Sequence, residues 1–101
     1  MRSKETIGKV LRIARIANGS MTIRNVADLI GVSTPYISEI ENGKKGISKK
    51  KIAVFAKIYN FEPFELMELV EDYEALDGDN VRKYQYTLLR ALRILLSKSK
   101  F

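Results

Sequence analysis

The chain contains no cysteine and no histidine. Without cysteine there is no disulfide and no thiolate metal site, and a reducing interior is the simpler expectation. Without histidine the usual general base and the commonest metal ligand are missing, which excludes most catalytic designs. No enzyme activity, cofactor or metal site is therefore expected. Long apolar runs are absent too. No stretch approaches the ~20 residues that a membrane span requires, and the polar start MRSKETIGKV lacks the apolar core of a signal peptide. The expected location is cytoplasmic. Proline occurs only twice, at Pro35 and Pro63, and both positions suit the first turn of a helix.

What is present is the composition of one folded domain: 101 residues, 46% hydrophobic and 30% charged. The net charge of +6 is unevenly placed. Residues 1–60 carry twelve Lys/Arg against Glu5, Asp28, Glu39 and Glu41. Residues 61–80 carry eight acids and no base, and residues 81–101 carry six bases and no acid. A basic N-terminal unit points to a polyanion partner, of which nucleic acid is the commonest.

The apolar spacing is helical throughout. Ile7, Val10, Leu11, Ala14 and Ala17 predict helix one over about 5–18, stopped by Asn18-Gly19. Thr22 can cap helix two, with Val26, Ala27 and Ile30 inward and Gly31 ending it. Helix three follows Val32-Ser33, with Ile37 and Ile40 inward and Asn42-Gly43 closing it. Ser48 can cap helix four, whose stripe is Ile52, Phe55, Ala56 and Tyr59. Helix five starts at Pro63 and turns Leu66, Met67, Val70 and Tyr73 inward. A turn over Ala75 to Asn80 leads to helix six, about 81–97. No β-alternation or repeat is present.

Two short helices joined by a glycine-containing turn describe a helix-turn-helix. Ala27 allows helices two and three to cross closely, Gly31 takes a left-handed position, and Val32 plugs the corner. Thr34, Pro35, Ser38 and Glu39 are then left outward, with Tyr36 at the edge. As the residue before proline, Thr34 is biased away from helical angles, so helix three is expected to start one residue late.

These residues resemble the phage-repressor-like, Cro/Xre-type helix-turn-helix DNA-binding family over roughly residues 5–72. The resemblance rests on Ile7, Leu11 and Arg15, on Val26-Ala27 and Ile30-Gly31-Val32-Ser33, on Tyr36-Ile37-Ser38, and above all on Ile40-Glu41-Asn42-Gly43-Lys44. It implies an all-α fold, a compact five-helix lambda-repressor-like domain in residues 1–74, to which the apolar spacing adds a short turn and a C-terminal amphipathic helix in residues 75–101. It also implies that helix three enters the major groove of double-stranded DNA, and that the start of helix two and the loop after helix three grip phosphates.

The residues implied to read bases are Thr34, Pro35, Tyr36, Ser38 and Glu39. Pro35 can pack on a thymine methyl or serve only as a helix starter, and Glu39 can accept from cytosine N4 or bond a neighbouring lysine. Tyr36 either donates its hydroxyl to a phosphate or packs on helix two. Thr22, Arg24, Asn42, Gly43, Lys44, Lys45, Lys49 and Lys50 are implied to bind phosphate. The backbone N–H groups of the 42–45 loop are expected to contribute. Ile23 departs from the family, which commonly has a phosphate-binding glutamine there. Lys49, Lys50 and Lys51 oppose the dipole of helix four, each at about 0.3–1 kcal/mol, a cost that a nearby DNA backbone would reverse. Glu41 is implied to pair inward with Arg15.

Helix six lies outside the resemblance. Val81, Tyr84, Leu88, Leu92 and Leu95 form an apolar stripe, widened by Tyr86, Leu89, Ile94 and Leu96. So much apolar surface predicts that the helix packs on its own domain and also pairs with a second copy. The acidic face Glu65, Glu68 and Asp72 is expected to meet Arg82, Arg90 and Arg93. A membrane-surface helix ranks last. The expected function is a nucleoid-associated transcriptional repressor, a homodimer on a two-fold symmetric operator. The competing reading is a protein-interaction module, an antitoxin or adaptor, whose last helix binds a different protein.

Overall fold

In the computed structural model, which describes residues 3–99, six helices follow one another: α1 (Lys4–Ala17), α2 (Ile23–Ile30), α3 (Thr34–Glu41), α4 (Lys49–Ile58), α5 (Pro63–Ala75) and α6 (Asn80–Lys98). Their starts are set by short polar side chains. Ser3, Thr22, Ser33, Ser48 and Asp79 each accept a backbone N–H three residues on, from Thr6, Asn25, Tyr36, Lys51 and Arg82. Each bond satisfies a donor that the helix leaves unpaired. Left-handed residues close α2, α3 and α4. Gly43 (φ 76°) closes α3, its N–H bonding the Ile40 carbonyl and the Lys44 N–H bonding the Glu39 carbonyl. Asn60 (φ 67°) closes α4 with the same pair of bonds, to Lys57 and Ala56.

Helix α3 begins at Thr34, with Ser33 as its cap and Pro35 in the first turn. The late start expected from the proline does not occur. The cap bond from the Tyr36 N–H to the Ser33 hydroxyl, at 3.3 Å, holds the first turn in place, and Pro35 forfeits only an N–H that would have no intrahelical partner.

Val10, Leu11, Ile13 and Ala14 of α1 lie at the centre of a single core. Around them pack Val26 and Ala27 of α2, Ile37 and Ile40 of α3, Phe55, Ala56 and Tyr59, and Leu66, Leu69, Val70 and Tyr73 of α5. Ile13 and Leu69 are fully buried although neither falls on the stripe read for its helix. Helix α1 touches α3, α5 and α6 at once, so its buried arc is wider than one stripe.

The inward face of α6 differs from the expected stripe. Its two buried residues are Thr87 and Ala91, which fit where a longer side chain would hold the helix off α1 and α5. Tyr84, Leu88 and Leu95, assigned to dimerisation from sequence, are half-buried and pack on the protein's own core. Val81, Tyr86, Leu89 and Leu96 are the exposed apolar residues of this helix. Arg90 meets Asp72 at 2.6 Å. Glu65 is paired by Lys98 rather than by an arginine, and Lys98 also donates to the Asn60 carbonyl at 2.8 Å. Among the described residues no helix is long and apolar enough to cross a membrane.

The position of α3 depends on Gly8. A Cβ there would lie 2.2 Å from the Ile40 carbonyl oxygen and 2.9 Å from that of Glu41. The backbones of α1 and α3 therefore meet where no other residue fits. Glycine inside a helix ordinarily costs about 1 kcal/mol against alanine, yet Gly8→Ala is expected to destabilise by about 1–3 kcal/mol because backbone must move. Urea unfolding would show a lower midpoint at unchanged slope; a stabilised variant would refute the close crossing.

Candidate nucleic-acid interface

The turn between α2 and α3 is Gly31-Val32-Ser33. Gly31 takes φ 84°, and the N–H groups of Gly31 and Val32 both bond the Ala27 carbonyl, at 2.8 and 3.0 Å. Val32 is half-buried against the core. These constraints turn Ile37 and Ile40 inward and leave Thr34, Pro35 and Glu39 exposed, with Ser38 half-buried between them. The outward face of α3 is thus small, weakly polar and carries one acid.

At the far end of α3, Glu41 turns inward. Arg15 grips it with a two-pronged contact, Nε to Oε2 at 2.7 Å and Nη2 to Oε1 at 2.9 Å, while Nη1 donates to the Met21 carbonyl at 2.7 Å. Both side chains are largely buried, at 12% and 5% exposure. The hydrogen bond to Glu41 raises the Arg15 pKa against the opposing effect of burial, so the guanidinium stays charged. Tyr59 lies fully buried nearby, its hydroxyl without a partner among the described residues. Burial, reinforced by the Glu41 charge, pushes its pKa up and keeps the phenol neutral.

The loop after α3 does not offer its backbone to an anion. The N–H of Asn42 bonds the Ser38 carbonyl, that of Gly43 bonds Ile40, and those of Lys44 and Lys45 both bond Glu39. The expectation that these amides hold phosphate is corrected, since all four complete the last turn of α3. Gly43 is itself buried, and a Cβ there would lie 2.9 Å from Glu5 Cα. Its role is to close the helix. Asn42 places its side-chain amide 3.4 Å from the Ser38 hydroxyl. What the loop presents outward is therefore the ammonium groups of Lys44 and Lys45.

The lysines of α4 diverge. Lys49 lies against Ile52, Pro63, Phe64 and Met67, on the α5 side. Lys50 and Lys51 border a hollow with Ile30 and Val54, on the α2 side. Lys51, absent from the residues assigned to phosphate from sequence, reaches α3: its Nζ stands 5.2 Å from the centre of the Tyr36 ring. Lys45 Nζ stands at the same 5.2 Å distance and is also 3.9 Å from Glu39. So Tyr36, Glu39, Lys45 and Lys51 form one cluster, joining α3, its following loop and α4. The signal available in sequence was the lysine run, but which of its members faces α3 depends on the rotation of α4.

At the start of α2, the Thr22 hydroxyl accepts the Asn25 N–H at 3.0 Å, and Asn25 Oδ1 accepts the Thr22 N–H at 3.3 Å. The Thr22 backbone is thereby occupied and only its hydroxyl proton is free to donate. Ile23 packs against the core, which accounts for an apolar residue there, and Arg24 is exposed.

The helix-turn-helix family model matches residues 11–66, which runs from the middle of α1 to the first turn of α5. The chain belongs to the helix-turn-helix family, of the Cro/Xre type. Its α2–turn–α3 unit and the α4 that carries the lysines all lie inside the match, whereas α6 lies outside it. The chain is also similar to the transcriptional regulator ClgR of Mycobacterium tuberculosis, in strains CDC 1551 / Oshkosh and ATCC 25618 / H37Rv, at 44% identity over 50 residues. That alignment covers 50% of this chain and 44% of the relative, so the chain spans less than half the length of the curated protein it matches. No solved structure matches.

In this helix-turn-helix protein the Arg15–Glu41 fork connects α1 to the end of the α2–turn–α3 unit. Glu41→Ala leaves a mostly buried guanidinium unpaired and is expected to cost about 3 kcal/mol of stability. Denaturant unfolding of Glu41→Ala, Arg15→Ala and the double variant checks this. A double variant as unstable as the sum of the singles would show that the two side chains do not act together.

Proposed function

We propose that the chain binds duplex DNA sequence-specifically and regulates transcription, as a repressor acting through a homodimer on a two-fold symmetric operator. The observation that supports this is the exposed face of α3, Thr34, Pro35 and Glu39, with Lys44 and Lys45 following it in the loop and Lys51 reaching it from α4. In this reading Lys44, Lys45 and Lys50, with Thr22 and Arg24, hold phosphates and set the register. The Pro35 ring packs on a thymine methyl, and Glu39 accepts from cytosine N4. The Glu39–Lys45 pair is half exposed on both sides, so it is weak enough to open when a base competes. Repression follows from occupancy: a dimer seated on the operator excludes polymerase from the same duplex. Residues 1–74 would be the DNA-binding unit and no catalytic step is involved.

The dimer contact belongs on the outer face of α6, where Val81, Leu89 and Leu96 are 65%, 57% and 68% exposed. With Gln85 and Leu92 they recur at intervals of four, four, three and four residues, the spacing of a helix-pairing seam. A body of 36 × 32 × 22 Å is of a size to sit beside its copy on half-sites about 34 Å apart. The same exposed face supports the second reading, a protein-interaction module whose α6 binds a different protein.

Replacing Lys44, Lys45 and Lys50 by glutamine is expected to weaken DNA binding. The slope of log affinity against log salt should become shallower by about 0.9 for each phosphate that is no longer neutralised. Unchanged binding in the triple variant would remove the basis for this reading. Leu89→Glu with Leu96→Glu is expected to turn a dimer into a monomer by light scattering while the helical circular-dichroism spectrum is kept, since both side chains face away from the chain's own core. A wild-type protein that is already monomeric would instead favour the interaction module.

A further inference from the structure

We propose that Tyr36 positions the phosphate-gripping lysines rather than reading a base, a role that rests on the DNA-binding function proposed above. Two ammonium groups, Lys45 from the loop and Lys51 from α4, each lie 5.2 Å from the centre of its ring. The negative face of an aromatic ring attracts cations at this range. Lysine is otherwise a flexible point charge on a long stem that loses considerable freedom when it grips a phosphate. An aromatic ring that already gathers both ammonium groups reduces that loss before DNA arrives.

The ring itself is held. Tyr36 is half-buried and packs on the core, and its N–H is fixed by Ser33 at the start of α3. Glu39, one turn further along α3, also stands 3.9 Å from the Lys45 ammonium. The helix that selects bases and the lysines that grip the backbone are therefore mechanically joined through one side chain. A consequence is that phosphate contact and the seating of α3 in the groove are set together. Lys51 joins the DNA-gripping set through its contact with the Tyr36 ring.

The test uses a duplex of about 30 base pairs that the wild-type protein selects from a random pool, titrated between about 50 and 200 mM salt. Tyr36→Phe keeps the ring and is expected to bind like wild type. Tyr36→Leu is expected to weaken binding about tenfold, the size of two exposed cation–ring contacts, with a shallower salt slope and an unchanged base preference. In a background of Lys45→Gln and Lys51→Gln, the same leucine substitution should have no further effect on affinity. That cycle remains readable if the leucine variant melts at lower temperature, because both arms carry the same packing change.

If Tyr36→Phe loses as much affinity as Tyr36→Leu, the hydroxyl is the contact and the proposal fails. A changed base preference in Tyr36→Leu would make Tyr36 a base reader and also refute it, as would unaltered affinity. Failure of the wild-type protein to bind duplex DNA with a steep salt dependence would overturn the DNA-binding reading itself. A wild type that binds steeply, with a leucine variant that binds equally well, would overturn only the role of Tyr36.

Discussion

The Arg15–Glu41 fork is the constraint on which the placement of the recognition elements depends. One guanidinium closes three contacts, two to Glu41 and one to the Met21 carbonyl, and so joins α1, the loop before α2 and the end of α3. Both charges are mostly withdrawn from water, so neither can be left alone cheaply. Their pairing costs desolvation and returns direction: a planar fork accepts a carboxylate in one orientation. A few residues away, the Gly8 crossing lets the α1 and α3 backbones come within a distance that no Cβ allows. Together these two features fix the C-terminal end of α3 against α1.

What α3 then presents is shaped by the need to bury its other side. Ile37, Ile40 and Glu41 face inward, which leaves few outward positions on a helix of eight residues. None of them is arginine or glutamine. The cationic character of the surface is supplied by neighbours, Lys44 and Lys45 from the loop and Lys51 from α4, while Glu39 places one acid among them. Three lysines in the first turn of α4 work against that helix's own dipole, a local cost that a polyanion facing them would offset.

Much of this was legible in the residues. The caps Thr22 and Ser48, the glycine at 31 and the close of α3 at Gly43 follow from local chemistry, because a short polar side chain or a left-handed residue acts on its immediate neighbours. The helical periods of α2 and α3 likewise needed no knowledge of distant contacts. Less could be read where a helix meets several partners. Ile13 and Leu69 fell off their stripes because α1 and α5 are covered on more than one side. On α6 the apolar stripe read from sequence did not reveal the innermost positions, Thr87 and Ala91, since close approach selects small side chains rather than greasy ones. Gly8 gave only a faint signal, a glycine inside an amphipathic helix. Its reason lies thirty-two residues away in Ile40.

The loop after α3 shows the same division. Its sequence, Asn42-Gly43-Lys44-Lys45, establishes that a helix ends there and that two cations follow. Whether its amides are free is a matter of hydrogen bonding in three dimensions, and the carbonyls of Ser38, Glu39 and Ile40 take them. The sequence by itself determined the helices, their order, the α2–turn–α3 unit and the family. Each of these depends on interactions a few residues apart. Only the tertiary structure decided which lysine leans on Tyr36, which face of α6 stays open and how closely α1 meets α3. Those depend on the rotation of packed helices about their own axes, and that is set by the whole core at once.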